Sequence, residues 1–178
     1  VVMAESPLTE HDLAKFSYQA GKQNQARLVK TAADARAIIE QRQLNQVKVA
    51  LPDLHGVLRG KMISVEKFFK CLENGLAFCD VIYGIDIDDN LCENLKTTGW
   101  NSGYPDTTLE IVTDSCREIP FEEPGLLFLC QSQQNPKTIC PRQTLNNVIN
   151  CSKAIGLHAH AGCEYEFTLL KETSETLM

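Results

Sequence analysis

Two glutamates separated by one residue, Glu164-Tyr165-Glu166, have the types and spacing that most directly suggest chemistry in this sequence. In a β-strand, side chains two residues apart share a face, so the two carboxylates would project together. Neighbouring carboxylates repel unless a cation lies beside them, and Mg²⁺ or Mn²⁺ prefers such oxygen ligands. The same spacing is typical of two solvated glutamates on an exposed strand face, and on spacing alone that interpretation is favoured.

Two histidines extend this pattern within the same predicted strand, residues 157–170. His158 and His160 have the parity of the two glutamates, so an unbroken strand would place four ligand-type side chains on one face, as in a zinc site. A bulge at Gly162 would break that parity. Two polar histidines near a surface edge are the favoured alternative.

An acidic loop provides a second group of candidates. Asp86, Asp88 and Asp89 lie in a polar stretch, residues 85–104, that we predict to be a long loop. The glycine and terminal glutamate of an EF-hand are not at the required positions. These side chains are therefore either solvated or placed to hold a cationic substrate such as ammonium or an amine.

The most distinctive run is Asp-Leu-His-Gly-Val-Leu-Arg-Gly-Lys at residues 53–61. Its glycines permit a tight turn and a close approach of the backbone. Neither a Walker lysine pattern nor G-x-G-x-x-G is present, so phosphate cradling is not implied. No Ser/His/Asp or Cys/His arrangement can be argued from the sequence.

Helices and strands alternate around these residues. Capping-type pairs, Thr9 with Asp12 and Thr31 with Asp34, predict two helices. The hydrophobic period then changes to that of strands. In chain order we predict a hairpin of strands at 47–51 and 57–65, a helix at 66–74 ended by Gly75, strands at 76–83, 108–112 and 125–130, and a helix from Pro141 to Gly156. One helix crossing a mixed sheet indicates an α+β fold.

Three regions follow from this order. Residues 1–45 form a helical amino-terminal extension, residues 46–131 a small α+β domain, and residues 132–178 a linker, one helix and one strand. One helix and one strand cannot bury their own apolar faces. We therefore expect residues 132–178 to begin an incomplete domain.

Composition excludes several classes of protein. The chain has 178 residues, of which 43% are hydrophobic, and a formal net charge of −6, which argues against nucleic acid and anionic lipid as partners. Its apolar runs are too short to cross a bilayer, and no secretory signal is visible at the start. The eight cysteines include no C-x-x-C pair, so we expect reduced structural thiols and a cytoplasmic protein.

Four motifs, in their order and spacing, resemble the glutamine synthetase family over about residues 46–171. They are the run at 53–61, Tyr-Pro-Asp-Thr at 104–107, Pro-Arg-Gln-Thr-Leu at 141–145 and Ala-Gly-Cys-Glu-Tyr-Glu-Phe at 161–167. The resemblance implies a β-grasp amino-terminal domain, followed by the first helix and strand of a truncated catalytic domain. It also implies a homo-oligomeric ring.

The resemblance assigns roles to the candidate residues. It implies that Glu164 and Glu166 each contact one of two Mg²⁺ or Mn²⁺ ions, on the nucleotide side and the glutamate side respectively. ATP would then activate glutamate as γ-glutamyl phosphate, which ammonia or an amine attacks. Asp86 aligns with a loop aspartate that binds and deprotonates ammonium in a neighbouring subunit's site.

Departures from the family pattern leave the nitrogen substrate open. Gly-Ile-Asp-Ile at 84–87 lacks the Asp-Gly-Ser-Ser run of glutamine synthetases and is closer to the γ-glutamylpolyamine synthetase branch, and Cys140 replaces the expected aspartate. We expect the 178-residue chain alone to be inactive. The alternatives are a non-catalytic structural or regulatory relative of glutamine synthetase and a free-standing binding module.

Overall fold

The structure is a computed structural model that describes residues 25–119, 125–132, 140–168 and 171. The helix predicted after Thr9 and most of the polar linker after residue 132 lie outside these residues. The chain divides into two compact units, Val1–Leu145 and Asn146–Met178.

Helix α1, Ala32–Gln41, begins at the capping box that the sequence predicts. The Thr31 hydroxyl accepts a hydrogen bond from the Asp34 backbone N–H, and the Asp34 carboxylate accepts one from Thr31 N at 2.9 Å. Three apolar side chains of this helix are buried: Ala35, Ile38 and Ile39. The predicted helix is confirmed.

Helix α2, Val65–Asn74, begins at Ser64, whose hydroxyl accepts a hydrogen bond from Lys67 N. It ends at Gly75, which adopts φ 77° and donates its N–H to Cys71 O at 2.9 Å. Backbone positions with positive φ strongly favour glycine, which explains why a glycine in the sequence marks this helix end. The predicted helix is confirmed.

The first unit contains a mixed five-stranded sheet. Its strands are β1 (Gln46–Pro52), β2 (Leu58–Ser64), β3 (Leu76–Cys79), β4 (Asp106–Glu118) and β5 (Leu126–Ser132). Their order across the sheet is β2-β1-β5-β4-β3. Strands β1 and β5 are parallel, and the remaining neighbouring pairs are antiparallel. The α+β class with one mixed sheet is therefore confirmed.

The core lies where α2 covers the central strands. Alternate residues of β5 are buried, and the Phe128 ring lies 4.7 Å from the Phe68 ring of α2. Val47 and Val49 of β1 are fully buried in the same cluster. Apolar side chains at every second position of the strands thus pack against apolar side chains at helical spacing in α2, and together they form one core.

Two strands differ from their predicted lengths. The strand predicted at 76–83 ends at Cys79, because Asp80–Tyr83 forms a 3₁₀ turn. Strand β4 continues past the predicted end at residue 112 through an irregularity between Val112 and Arg117. The Ser115 hydroxyl stabilises it by donating to Val112 O at 2.5 Å and accepting from Leu129 N at 2.7 Å.

The sheet is curled, so that its outermost strands approach each other. Lys61 of β2 donates to Ala77 O of β3 at 3.4 Å, and its ammonium lies 4.5 Å from the centroid of the Phe78 ring. These contacts join strands that are separated by three others in the sheet order. The curl places the β1–β2 hairpin beside the segment that follows β3.

Helix α3, Pro141–Ala154, begins at the predicted proline. The backbone oxygen of Cys140 accepts hydrogen bonds from the Thr144 N–H at 2.9 Å and from the Thr144 hydroxyl at 3.1 Å. At the other end Gly156 has φ 81° and donates to Lys153 O at 3.0 Å. Both predicted termini are confirmed.

The strand predicted for residues 157–170 is wrong over the residues that the structure describes. Residues 157–168 form no regular structure and are exposed. None of the strand pairings in the described part of the chain involves them. A single strand leaves its backbone donors and acceptors unpaired, so alternation in the sequence is not sufficient to form one.

The state of the cysteines can be compared with the expectation of reduced thiols. All eight cysteines are in the described residues as free thiols, and Cys71, Cys116, Cys130 and Cys140 are buried. Burial raises the pKa of Cys116 and Cys130 to about 12, which makes these thiols poor nucleophiles.

Within the described ranges, no helix is long and apolar enough to cross a membrane.

Candidate functional site

The turn of the β1–β2 hairpin is organised by a buried carboxylate. Asp53 is fully buried and accepts hydrogen bonds from His55 N at 2.8 Å, Val57 N at 2.9 Å and Arg59 Nε at 2.9 Å. Burial opposes its ionisation, but these hydrogen bonds and the charge of Arg59 outweigh it, so the pKa of Asp53 lies below its ordinary value. The turn closes with Gly56 at φ 82°.

Arg59 connects this hairpin to the acidic loop. While Nε contacts Asp53, Nη1 forms an ion pair with Asp89, and Nη2 donates to the Asp86 backbone O at 3.1 Å. The Arg59 side chain is only 19% exposed. A single guanidinium therefore links the buried Asp53 of the hairpin turn to the loop that contains the candidate Asp86.

The loop around Asp86 is ordered by the Asp86 carboxylate itself. Its oxygens accept hydrogen bonds from Asp88 N at 2.9 Å, Asn90 N at 2.9 Å and Asn90 Nδ2 at 3.1 Å. The Asn90 backbone N–H is the main cause that lowers the pKa of Asp86, with contributions from the Asn90 side chain, Asp88 and His55. The carboxylate is half-buried and remains ionised well below neutral pH.

The remaining aspartates of the loop have different roles. Asp88 is exposed, and its backbone rather than its side chain contacts Asp86. Asp89 has φ 64°, in the left-handed region that disfavours most side chains, and forms the ion pair with Arg59. Of the three aspartates, only Asp86 and Asp89 are fixed by side-chain contacts.

A concave surface adjoins this loop. Ile85 pairs with Leu91 in an isolated bridge. Leu91 lines a concave pocket of about 640 Å³ together with residues 92–95, 99–101 and 104. Trp100 and Tyr104 contribute aromatic rings 5.3 Å apart and nearly perpendicular. Glu93 also lines the cavity, so it combines aromatic surface with a carboxylate.

The candidate metal ligands lie in the second unit and are exposed. Glu164 and Glu166 are in the irregular segment 157–168, as are His158 and His160. Without a strand, the shared face expected for the four side chains is not formed. Within the described residues, no group of three or more His, Cys, Asp or Glu side chains is placed to hold a metal ion.

Curated proteins with similar sequences form one group. The chain is 36% identical over 135 residues to type-1 glutamine synthetase 2 of Dictyostelium discoideum, covering 74% of this chain and 26% of that protein. It is 31% identical over 142 residues to glutamate–isopropylamine ligase of a Pseudomonas species, covering 78% and 31%. It is 34% identical over 128 residues to γ-glutamylputrescine synthetase PuuA of Escherichia coli, covering 70% and 27%.

The chain belongs to the glutamine synthetase family. It spans between 26% and 32% of the length of these curated relatives. No protein-family model matches it.

Solved structures show the same fold. Plasmodium falciparum glutamine synthetase superposes with a TM-score of 0.51 at 16% identity, covering 71% of this chain and 23% of that one. GmaS without ligand gives a TM-score of 0.51 at 15% identity, covering 67% and 26%. The fold is therefore that of glutamine synthetase-type proteins.

Sequence reasoning missed the contribution of Asp53, Arg59 and Asp89. These residues were visible only as part of the family-like run at 53–61 and as an acidic loop. An aspartate followed six residues later by an arginine, across a predicted two-strand turn, is the available signal. It does not reveal that the arginine reaches a loop thirty residues further along the chain.

Proposed function

We propose that this chain is part of an ATP-dependent ligase that joins the γ-carboxylate of glutamate to ammonia or an amine. The observation that carries this proposal is the sequence likeness to relatives named as glutamate–isopropylamine ligase, γ-glutamylethanolamide synthetase and γ-glutamylputrescine synthetase. These three names refer to an amine, whereas type-1 glutamine synthetase 2 is named for glutamine. We therefore propose an amine, with ammonia as the alternative, as the third substrate besides glutamate and ATP.

Asp86 is the residue that we propose binds the amine in its cationic form. An ionised carboxylate offers about four acceptor positions, and three hydrogen bonds from the loop occupy part of them. The remaining acceptor capacity suits an alkylammonium. Because the pKa of Asp86 is lowered, while that of an alkylammonium such as lysine is about 10.4, Asp86 is a weak base that binds the cation more readily than it deprotonates it.

Glu164 and Glu166 are the residues that we propose hold Mg²⁺ or Mn²⁺. Their donor set fits such hard cations, which take oxygen ligands. The bound ions would neutralise the ATP phosphates while γ-glutamyl phosphate forms. Two carboxylates supply only part of about six ligand positions, so phosphate oxygens, water and further protein groups would supply the rest.

The domain organisation forms part of the same proposal. We propose that residues 46–131 are a β-grasp domain, which a hairpin, a crossing helix and a last strand parallel to β1 support. We propose, from the sequence, that residues 1–45 are an amino-terminal extension and that residues 132–178 begin a catalytic domain. We further propose that the complete protein assembles as a homo-oligomeric ring.

The function is tested by assaying the longest reading frame that encodes this chain. Glutamate-dependent release of phosphate from ATP is measured with ammonia and with a panel of monoamines and polyamines. We expect turnover with at least one amine, and a loss of kcat/KM on the order of a hundredfold in Asp86→Asn. The matched control, Asp88→Asn in the same loop, should retain activity because that side chain is exposed.

Absence of glutamate-dependent phosphate release with every nitrogen compound would contradict the proposal and favour a non-catalytic relative. The 178-residue chain is assayed in parallel and is expected to show no turnover. Turnover by that chain would show that its own residues complete the site.

A further inference from the structure

We propose that Arg59 is a positioning residue that fixes the shape of the Asp86 loop from the neighbouring hairpin. The consequence for amine binding rests on the proposed function of Asp86. The structural part, that Arg59 determines the conformation of residues 86–90, stands on the contacts of this chain alone.

The three contacts of Arg59 reach different parts of the chain. Nε contacts the Asp53 carboxylate, Nη1 the Asp89 carboxylate and Nη2 the Asp86 backbone O. Three donors of one planar group thus reach three separate positions. Lysine has a single nitrogen at the end of a flexible chain and cannot maintain all three contacts at once.

The two aspartates that Arg59 connects differ in burial. Asp53 is fully buried and is held by two backbone N–H groups of its own turn, so it is a rigid attachment point. Asp89 is 69% exposed at its side chain. The hairpin side is fixed by the core. On the loop side, Arg59 adds two contacts from outside the loop to the hydrogen bonds that the loop makes within itself.

The loop conformation at Asp89 is one that needs supporting contacts. Asp89 has φ 64°, which is unfavourable for a residue with a side chain unless surrounding contacts compensate. The Asp89 N–H donates to Asp86 O at 3.2 Å, the same carbonyl that receives Arg59 Nη2. Arg59 thus contacts both residues that define this turn.

Lys61 provides a matched comparison on the same strand. It lies two residues from Arg59, has the same parity in β2 and also spans the curled sheet. Its contacts are to Ala77 and Phe78 of β3 rather than to the loop. Removal of Lys61 should therefore affect β3 and leave residues 86–90 unchanged.

The test is amide hydrogen exchange on the 178-residue chain and its variants. In Arg59→Lys the amides of Asp86, Asp88 and Asn90 should exchange about tenfold faster, because local opening becomes more favourable. Amides of β1 and β5 should keep their wild-type rates. Lys61→Ala should leave the loop amides at wild-type rates.

One further variant keeps the test decisive if Arg59→Lys, which preserves the charge, unfolds the chain. Asp89→Asn removes only the ion pair on the loop side while the Asp53 contact remains. Loop exchange at wild-type rates in both variants would overturn the proposal. Acceleration in both, confined to the loop, would support it.

Kinetics of the longest reading frame separate this proposal from the proposed function. If Asp86 binds the amine, Arg59→Lys should raise the KM for the amine about tenfold and leave the KM for glutamate unchanged. Equal increases in both values would overturn positioning of the amine site. Faster loop exchange in a protein without ligase activity would support the positioning of the loop and contradict only the proposed function.

Discussion

The corner formed by Asp53, Arg59, Asp86 and Asp89 differs from the segment 157–168 in how its charges are satisfied. In the corner, hydrogen-bond donors of the same chain surround the carboxylates of Asp53 and Asp86. In the segment, Glu164 and Glu166 are exposed and no regular structure holds them. The corner has a defined geometry without any ligand, whereas the segment does not.

This difference separates two kinds of functional residue. A preorganised carboxylate such as Asp86 presents its charge before a substrate arrives, which lowers the cost of binding. Paired glutamates gain a fixed arrangement only from groups outside their own segment. Substitutions in the corner should accordingly lower the free energy of unfolding, whereas substitutions in the segment should leave it unchanged. The following predictions test this difference.

The largest expected effect is that of Asp53→Ala. This change leaves two backbone N–H groups and one guanidinium nitrogen without their buried acceptor. We expect the free energy of unfolding to fall by about 3 kcal/mol, measured by urea denaturation. Asp88→Ala, at an exposed position, should change it by less than about 0.5 kcal/mol, and equal effects of the two would contradict the contrast between buried and exposed aspartates.

A matched pair of glycines gives the next largest difference. A Cβ at Gly60 would lie 2.3 Å from Val49 O and 2.8 Å from the Ala50 Cβ, so β2 must move away from β1 in Gly60→Ala. We expect a loss of about 2 kcal/mol. Gly162, in the exposed segment, has no neighbour within 4 Å of such a Cβ. Gly162→Ala should be neutral in the same denaturation experiment, and a comparable loss there would show that residues 157–168 are packed.

The acid response of the corner gives a smaller effect. The pKa values of Asp53 and Asp86 lie below their ordinary 3.8 in the folded chain. Their ionised forms therefore favour folding, fully above pH 3.8 and less as the pH falls through the folded values. The urea midpoint should fall as the pH is lowered below about 4. The double variant Asp53→Asn, Asp86→Asn should lose less on acidification, and an unchanged acid response would argue against ionised aspartates in the corner.

The smallest effect is expected for Glu164→Gln and Glu166→Gln. Both side chains are exposed, so the free energy of unfolding should change by less than about 0.5 kcal/mol. In the longest reading frame the same variants should lose activity by about a hundredfold or more. A destabilised 178-residue chain would show instead that these glutamates have structural partners.

Elements specified by neighbouring residues could be predicted from the sequence. The capping box at Thr31 and Asp34, the helix end at Gly75 and the helix start at Pro141 are all set within one turn of helix. The β1–β2 hairpin is likewise set by its own short turn. Such signals require no knowledge of the rest of the fold.

Features that depend on distant pairing could not be predicted in the same way. The extension of β4 beyond residue 112 depends on Ser115 contacting Leu129 of another strand. A strand at 157–168 would need a neighbouring strand to pair with, and none of the described pairings involves this segment. Alternation in the sequence cannot reveal whether such a partner exists. In the site, Asp86 was predicted from family resemblance, but its support by Arg59 follows only from the curl of the sheet.

The curl has one more consequence, for self-association. Strands β2 and β3 are the two edges of the sheet, and an open edge is a template for pairing with another molecule. Here the cationic side chain of Lys61 spans from one edge to a carbonyl of the other. A charged side chain thus lies between the two edges, where a foreign strand would have to enter. Charge at a sheet edge is one of the features that oppose pairing between molecules.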